Sequence, residues 1–197
     1  MAVAMQDIKQ LRALTGAGML DVKNALEETD GDIDRATQLL RERGIAGAAK
    51  KAGRAASEGF VGSYIHHNGK IATLVELNSE TDFVSRNEVF QELAKNLAIH
   101  VAMANPSYLR REDVPPDIEN AERETLHNQA LEEGKPENVI AKIIEGRLAK
   151  FYEEIVFLEQ PYVKDDKKTV EQLVKEAVAT LGENIQVGSF SRIAIGE

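Results

Sequence analysis

Two glycines and a following lysine in the stretch TGAGMLDVKNAL, Thr15 to Leu26, are the first residues that could do chemistry. Glycine-rich loops cradle phosphates with their backbone N–H groups. The spacing here argues against that use. A Walker loop sets four residues between its glycines and ends in Gly-Lys-Ser/Thr. Here one residue separates Gly16 from Gly18, and Lys23 is followed by Asn24. A dinucleotide loop wants a third glycine or alanine where Asp21 stands, and a strand before it. The residues before Thr15 have helical spacing instead. Gly16 and Gly18 suit a tight reversal between two helices, because glycine tolerates unusual backbone angles and close approach. On so small a bundle one of Met19 and Leu20 faces outward, and with Lys23 it makes a docking edge.

Other chemistries find little support. The four histidines are His66, His67, His100 and His127. Neighbours in a strand point to opposite faces, so His66 and His67 do not share a metal. Solvent-facing or simply hydrogen-bonded histidine is the expectation for all four. Nothing links Ser63 or Ser79 to a base and an orienting acid. The chain has no cysteine, which removes disulfides, thiolate metal sites and thiol nucleophiles together. Catalysis is therefore not expected, and neither is a metal or cofactor of the chain's own. One further stretch stands out, ELNSETDFVSRNE, Glu76 to Glu88. It leaves an apolar strand and enters a helix. Asn78, Ser79, Thr81 and Asp82 suit such a turn because their short side chains satisfy free backbone groups. Phe83 and Val84 either staple the turn to the helix or stand at a rigid tip, where a phenylalanine can fill a partner's pocket. Spacing alone leaves both readings open.

The elements that carry these residues are legible as periodic patterns. Ile8, Leu11 and Leu14 mark a first helix; Met19, Val22 and Leu26 a second; Ile33, Ala36, Leu39 and Leu40 a third that Gly44 stops. Asp30 or Asp32 caps the third. Residues 45–59, IAGAAKKAGRAASEG, lack bulky apolar side chains and read as a linker, at least partly open to helix. FVGSYIHH and KIATLVELN flank Asn68-Gly69, a hairpin signal because both residues tolerate positive φ. In the second strand Ile71, Thr73, Val75 and Leu77 share one face, and Ala72 and Leu74 the other, so both faces are expected to be covered near the middle. Phe90, Leu93, Ala94, Leu97 and Val101 form a long helical stripe ending at Asn105-Pro106. Residues 107–135 are acidic surface helix. Pro136 opens another helix, with Val139, Ile140, Ile143, Ile144 and Leu148 apolar. Val170, Leu173, Val174, Ala177 and Leu181 form the last helix, and IQVGSFSRIAI the last strand. Strands that open and close a module, with helices between, argue an α+β fold holding a small three-stranded antiparallel sheet.

Bulk composition narrows the class. The 197 residues carry 24 Lys and Arg against 33 Asp and Glu, a net charge of -9. Non-specific nucleic-acid binding needs cationic surface, so it is not expected as the main activity. No apolar run approaches the roughly 20 residues of a membrane span. The first residues lack the basic start and apolar stretch of a secretion signal. A soluble cytoplasmic protein is the expectation.

Two stretches resemble a known family. LRALTGAGMLDVKNAL, Leu11 to Leu26, and ELNSETDFVSR, Glu76 to Arg86, are similar to the two signatures of bacterial elongation factor Ts, the exchange factor for the GTPase elongation factor Tu. AAKKAG in the linker and ENIQVGSFSR near the end resemble the family as well. The resemblance implies a ubiquitin-associated-type helical bundle over residues 1–45, a linker over 46–58 and an α+β core and dimerisation domain over 59–197. It implies docking of the bundle on the GTPase through Arg12, Thr15, Gly16, Met19, Leu20 and Lys23. It implies that Thr81, Asp82, Phe83 and Val84 disturb the partner's magnesium site, Phe83 as a wedge and Asp82 by repositioning a partner helix. Many relatives are longer, with a second core subdomain and a helical insert. Short members compensate by pairing two copies through the core, so a homodimer in a two-plus-two complex is implied. Some short relatives carry a cysteine where this chain has Ser191, so no covalent link between copies is expected. Two other readings stand beside exchange: an adaptor whose bundle alone binds a ligand, and an enzyme with a pocket of convergent titratable groups.

Overall fold

The structure, a computed structural model, describes residues 3–196. Met1, Ala2 and Glu197, the outer ends of the expected first and last domains, lie outside the described residues. Three helices open the chain: α1 (Met5–Thr15), α2 (Met19–Glu28) and α3 (Ile33–Lys51). They close on Ile8, Leu11, Val22, Ala25, Leu26, Ala36 and Leu40. Leu14 and Met19, expected in the apolar stripes, stay out of this core at 65% and 52% exposure. Around α1, Thr15 falls between Ile8 and Leu11, while Leu14 falls one step outside them. Met19 sits in the first turn of α2 and remains half exposed. Asp32, not Asp30, caps α3, its carboxylate accepting the Arg35 N–H at 3.0 Å. Asp30 instead takes a positive φ of 55° in the preceding turn.

The expected stop at Gly44 does not occur, because α3 continues to Lys51. Alanines favour that continuation. Gly44 itself is a close-approach residue: a Cβ there would lie 3.0 Å from the Cβ of Ala179. Tertiary packing thus overrides the local stop signal, and part of the stretch read as linker is helix.

Next come β1 (Glu58–Ile65) and β2 (Ile71–Ser79). Their turn differs in detail from the expected one. The Gly69 N–H donates to the His66 carbonyl at 2.8 Å, and the His66 N–H donates to that of Ile71 at 2.9 Å. Gly69 takes a positive φ of 69°, whereas Asn68 does not. Asn68 contributes its side chain, which accepts the Lys70 N–H at 2.9 Å. In β2 Thr73, Val75, Leu77 and Ser79 are buried. Leu74 on the opposite face is 50% exposed, so a single chain does not cover both faces of the strand.

A one-turn helix, α4 (Asp82–Ser85), leads into α5 (Glu88–Ala104). The whole expected stripe of α5, Phe90 through Val101, is buried. The Thr73 hydroxyl donates to the Ala98 carbonyl at 2.7 Å, tying β2 to α5. After a 3₁₀ turn at Arg111–Asp113 come α6 (Pro116–Glu132) and α7 (Glu137–Ile155), packed on each other. Leu126, Leu148, Tyr152 and Val156 form their shared core with Val114. A short antiparallel pair, β3 (Pro161–Tyr162) and β4 (Asp165–Thr169), has no counterpart in the sequence reading. Two residues are too few for a period, and Asp165–Lys168 are all charged. The chain closes with α8 (Val170–Leu181) and β5 (Gln186–Ala194).

The three long strands form one antiparallel sheet in the order β1-β2-β5, so the fold is α+β. Two compact units divide the chain. One comprises Met1–Val61, Glu76–Ala94 and Gln172–Gly188, the other Gly62–Val75, Lys95–Glu171 and Ser189–Glu197. Both candidate stretches fall in the first unit. Among the described residues no helix is long and apolar enough to cross a membrane.

Candidate partner-docking site

The corner between α1 and α2 depends on Gly16. It ends α1 with a φ of 66° and donates its N–H to the Arg12 carbonyl at 2.9 Å. A Cβ at Gly16 would also stand 3.1 Å from Cγ2 of Thr180. Both the backbone angle and the near neighbour therefore favour glycine. Thr15 braces the same corner: its hydroxyl donates to the Leu11 carbonyl at 2.7 Å and accepts the Ala17 N–H at 3.3 Å. Beyond the corner Met19 and Leu20 are both exposed, Leu20 at 68%, where only one was expected outside. Met5 and Leu14 are exposed on α1 as well. Arg12 is exposed, and Lys23 pairs loosely with Glu27 at 3.5 Å. The bundle thus exposes Met5, Leu14, Met19 and Leu20 on its first two helices together with Arg12 and Lys23, side chains suited to protein contact.

The second candidate stretch forms a fixed corner with a bare ring at its tip. Phe83 is 84% exposed. Asp82 beside it is half-buried and pairs with Arg86 at 3.1 Å. Below them the backbone is held on several sides. The Ser79 hydroxyl donates to the Thr81 carbonyl at 3.0 Å, and the buried Ser85 hydroxyl donates to the Asp82 carbonyl at 3.1 Å. Gln91 reaches back from α5 to the Ser85 carbonyl at 3.3 Å, and Asn87 starts α5 by accepting the Val89 N–H at 2.8 Å. The stapled alternative for Phe83 does not describe this geometry, because a staple would bury the ring. Val84 is half-buried.

Other candidates for chemistry resolve into packing. His100 is fully buried. Its Nδ1 accepts the Val163 N–H at 3.2 Å, so Nε2 carries the proton and donates to Gln160 Oε1 at 2.9 Å. Burial lowers its pKa, and the Gln160 bond offsets this in part. A cleft of about 320 Å³ in the second unit is lined by Arg111, Glu119, Arg123, Glu145 and Tyr152 among others. Arg111 pairs with Glu159 and lies 4.1 Å from the Tyr152 ring centre. Arg123 joins Glu119 at 2.8 Å to Glu145 at 2.6 Å. Hydrogen bonds from Arg123 and Tyr152 hold the Glu119 carboxyl below its ordinary range, and burial raises the Tyr152 phenol. The cluster reads as a brace across α6 and α7. Among the described residues no group of three or more His, Cys, Asp or Glu is placed to hold a metal.

Comparison with known proteins agrees with the two stretches. The family model described as elongation factor TS matches residues 2–197. The chain belongs to the elongation factor Ts family. It is 55% identical over 196 residues to elongation factor Ts of Nitratidesulfovibrio vulgaris (strain Miyazaki F), covering 100% of this chain and 98% of that one. Over 197 residues it is 54% identical to elongation factor Ts of Geobacter metallireducens, covering 100% and 91%. With the Geobacter sulfurreducens protein the identity is 52% over 197 residues, again 100% and 91%. Membership makes it a translation elongation factor.

Sequence reasoning missed the residues that anchor the corner from elsewhere in the chain. Thr81 donates to Glu183 and Glu80 accepts from the Asn184 N–H, and periodicity says nothing about either partner. The one available signal was ENIQVGSFSR, where an Asn and a Glu precede an apolar strand just after a helix-ending glycine.

Proposed function

We propose that the chain is a guanine nucleotide exchange factor for elongation factor Tu. The observation that carries this reading is the ring of Phe83, 84% exposed on a corner whose backbone is hydrogen-bonded on several sides. Magnesium bridges and neutralises the nucleotide's phosphates. Phe83 wedges between partner side chains, Asp82 repositions a partner helix, and Thr81 and Val84 set the turn that holds them. Displacing the metal's surroundings weakens GDP. Linkage then requires that the chain bind nucleotide-free partner more tightly than GDP-bound partner by the same factor. GTP refills the site and expels the chain. No bond in GDP is made or broken, so the activity is exchange and not hydrolysis.

Arg12, Thr15, Gly16, Met19, Leu20 and Lys23 supply the docking contact, with the exposed Met19 and Leu20 toward the GTPase. The chain works in the cytoplasm, where translation occurs. Two copies pair through the core, giving a two-plus-two complex. The second unit leaves Ile65, Leu74, Ile193 and Ile195 exposed, a run of apolar side chains that a second copy would cover. Release of fluorescent GDP from elongation factor Tu, followed by stopped flow, tests the exchange reading. Substoichiometric chain accelerates release if the reading holds. An unchanged trace, with binding by the bundle intact, favours the adaptor reading instead.

A further inference from the structure

We infer that Glu183 is a positioning residue for exchange, holding the Phe83 corner at the angle that reaches the partner; this rests on the exchange reading above. Thr81 stands at the N-cap of α4 with φ -130° and ψ 159°, yet its side chain makes no capping bond. A threonine there would ordinarily accept a backbone N–H one turn on. Here its hydroxyl turns away and donates to Glu183 Oε1 at 2.6 Å, while its backbone N–H donates to Glu183 Oε2 at 3.0 Å. One carboxylate thus takes both donors of the residue that launches α4.

The tie is reciprocal. Glu80 Oε1 accepts the Asn184 N–H at 2.6 Å. Each of the two loops therefore lends a glutamate to the backbone N–H of the other. Asn184 extends the connection, its side-chain amide donating to the Arg54 carbonyl at 2.7 Å and reaching that of Ala52 at 3.4 Å. Those carbonyls lie just past the end of α3, the helix that leads out of the docking bundle. The loop between α8 and β5 therefore grips the Phe83 corner with one residue and the exit of the bundle with the next. All of these residues lie in the first unit.

The α4 turn has four residues and one buried side chain, Ser85. Such a turn has little packing of its own, so its direction rests on hydrogen bonds; those of Ser79, Ser85 and Gln91 come from the same stretch, and the Thr81–Glu183 pair ties it to a distant part of the chain. Thr81 is exposed and Glu183 half exposed, so the pair adds little to global stability while reducing the corner's freedom to rock.

The test uses the full chain and elongation factor Tu loaded with fluorescent GDP, with the release rate followed as a function of chain concentration. Glu183→Ala lowers the plateau rate about 3- to 30-fold, since a misaligned ring loses at most what its removal would lose. The half-saturating concentration stays within about threefold, because the bundle's contacts are intact. The melting temperature stays within about 2 °C. Glu183→Gln, whose amide oxygen accepts one of the two bonds, recovers part of the rate. In a Phe83→Ala background Glu183→Ala has little further effect. A full plateau rate in Glu183→Ala overturns the inference while leaving the exchange reading in place. So does an undiminished effect on top of Phe83→Ala, or a melting temperature several degrees lower. Failure of the unaltered chain to speed release overturns the exchange reading itself.

Discussion

Phe83 and Phe90 are seven positions apart and carry the same side chain, yet truncating them has opposite consequences. Phe90 is fully buried in α5 and Phe83 is 84% exposed. Phe90→Ala loses the transfer energy of a benzyl group and leaves a cavity, about 3–5 kcal/mol. For a chain of this length 1 kcal/mol shifts the melting temperature by about 2–4 °C, so Phe90→Ala melts about 10 °C lower. Phe83→Ala removes a ring already in water, so its stability changes by less than about 0.5 kcal/mol. Its effect falls on exchange. A ring seated in a partner pocket is worth about 2 kcal/mol or more, which corresponds to about 30-fold slower release of GDP. Thermal melts of both variants, beside stopped-flow release of fluorescent GDP, separate the roles. Melting of Phe83→Ala several degrees below the unaltered chain, or release at the full rate, would refute the reasoning.

Leu20→Ala, which truncates an exposed side chain of the docking corner, raises the half-saturating concentration about fivefold at an unchanged plateau rate, corresponding to about 1 kcal/mol of ground-state contact, as a concentration series will reveal. Burial depresses the His100 pKa below the 6.5 of the unfolded chain. Below about pH 6.5 the unfolded chain therefore binds a proton that the folded chain resists, and stability falls on acidification toward the folded pKa, by at most about 1.4 kcal/mol per pH unit. Urea unfolding at several pH values shows this loss, and it is smaller in His100→Asn, which does not titrate. Gly59→Ala places a Cβ 2.5 Å from the Leu77 carbonyl oxygen, so β1 and β2 must shift. That costs about 1–3 kcal/mol, seen as a lower melting temperature.

Periodicity reached most of the framework because most elements are half-buried: the α5 stripe, the two strands of the hairpin with the buried face of β2, and the last strand stand where they were expected. It failed where another part of the chain decides. Gly44 looks like a helix stop until Ala179 is packed against it. Leu14 looks like core until the narrow buried arc of α1 is seen to pass through Thr15. The β3–β4 pair is too short and too charged to register. At the corner, the local pattern of Asn, Ser, Thr and Asp foretold a turn, and Ser79 and Ser85 do bond locally. Thr81 was also expected to serve its own turn, whereas it bonds to a residue 102 positions away. Apart from its place between a helix-ending glycine and an apolar strand, nothing distinguishes Glu183 from the other 32 of the 33 acidic residues.

The central claim is that the Phe83 corner frees GDP by disturbing magnesium. Its most direct test is the acceleration of GDP release from elongation factor Tu measured twice, in millimolar magnesium and after chelation of the metal. The account predicts a large acceleration with magnesium present and a much smaller one without it, since chelation has then already done part of the work. Equal acceleration under both conditions would contradict it.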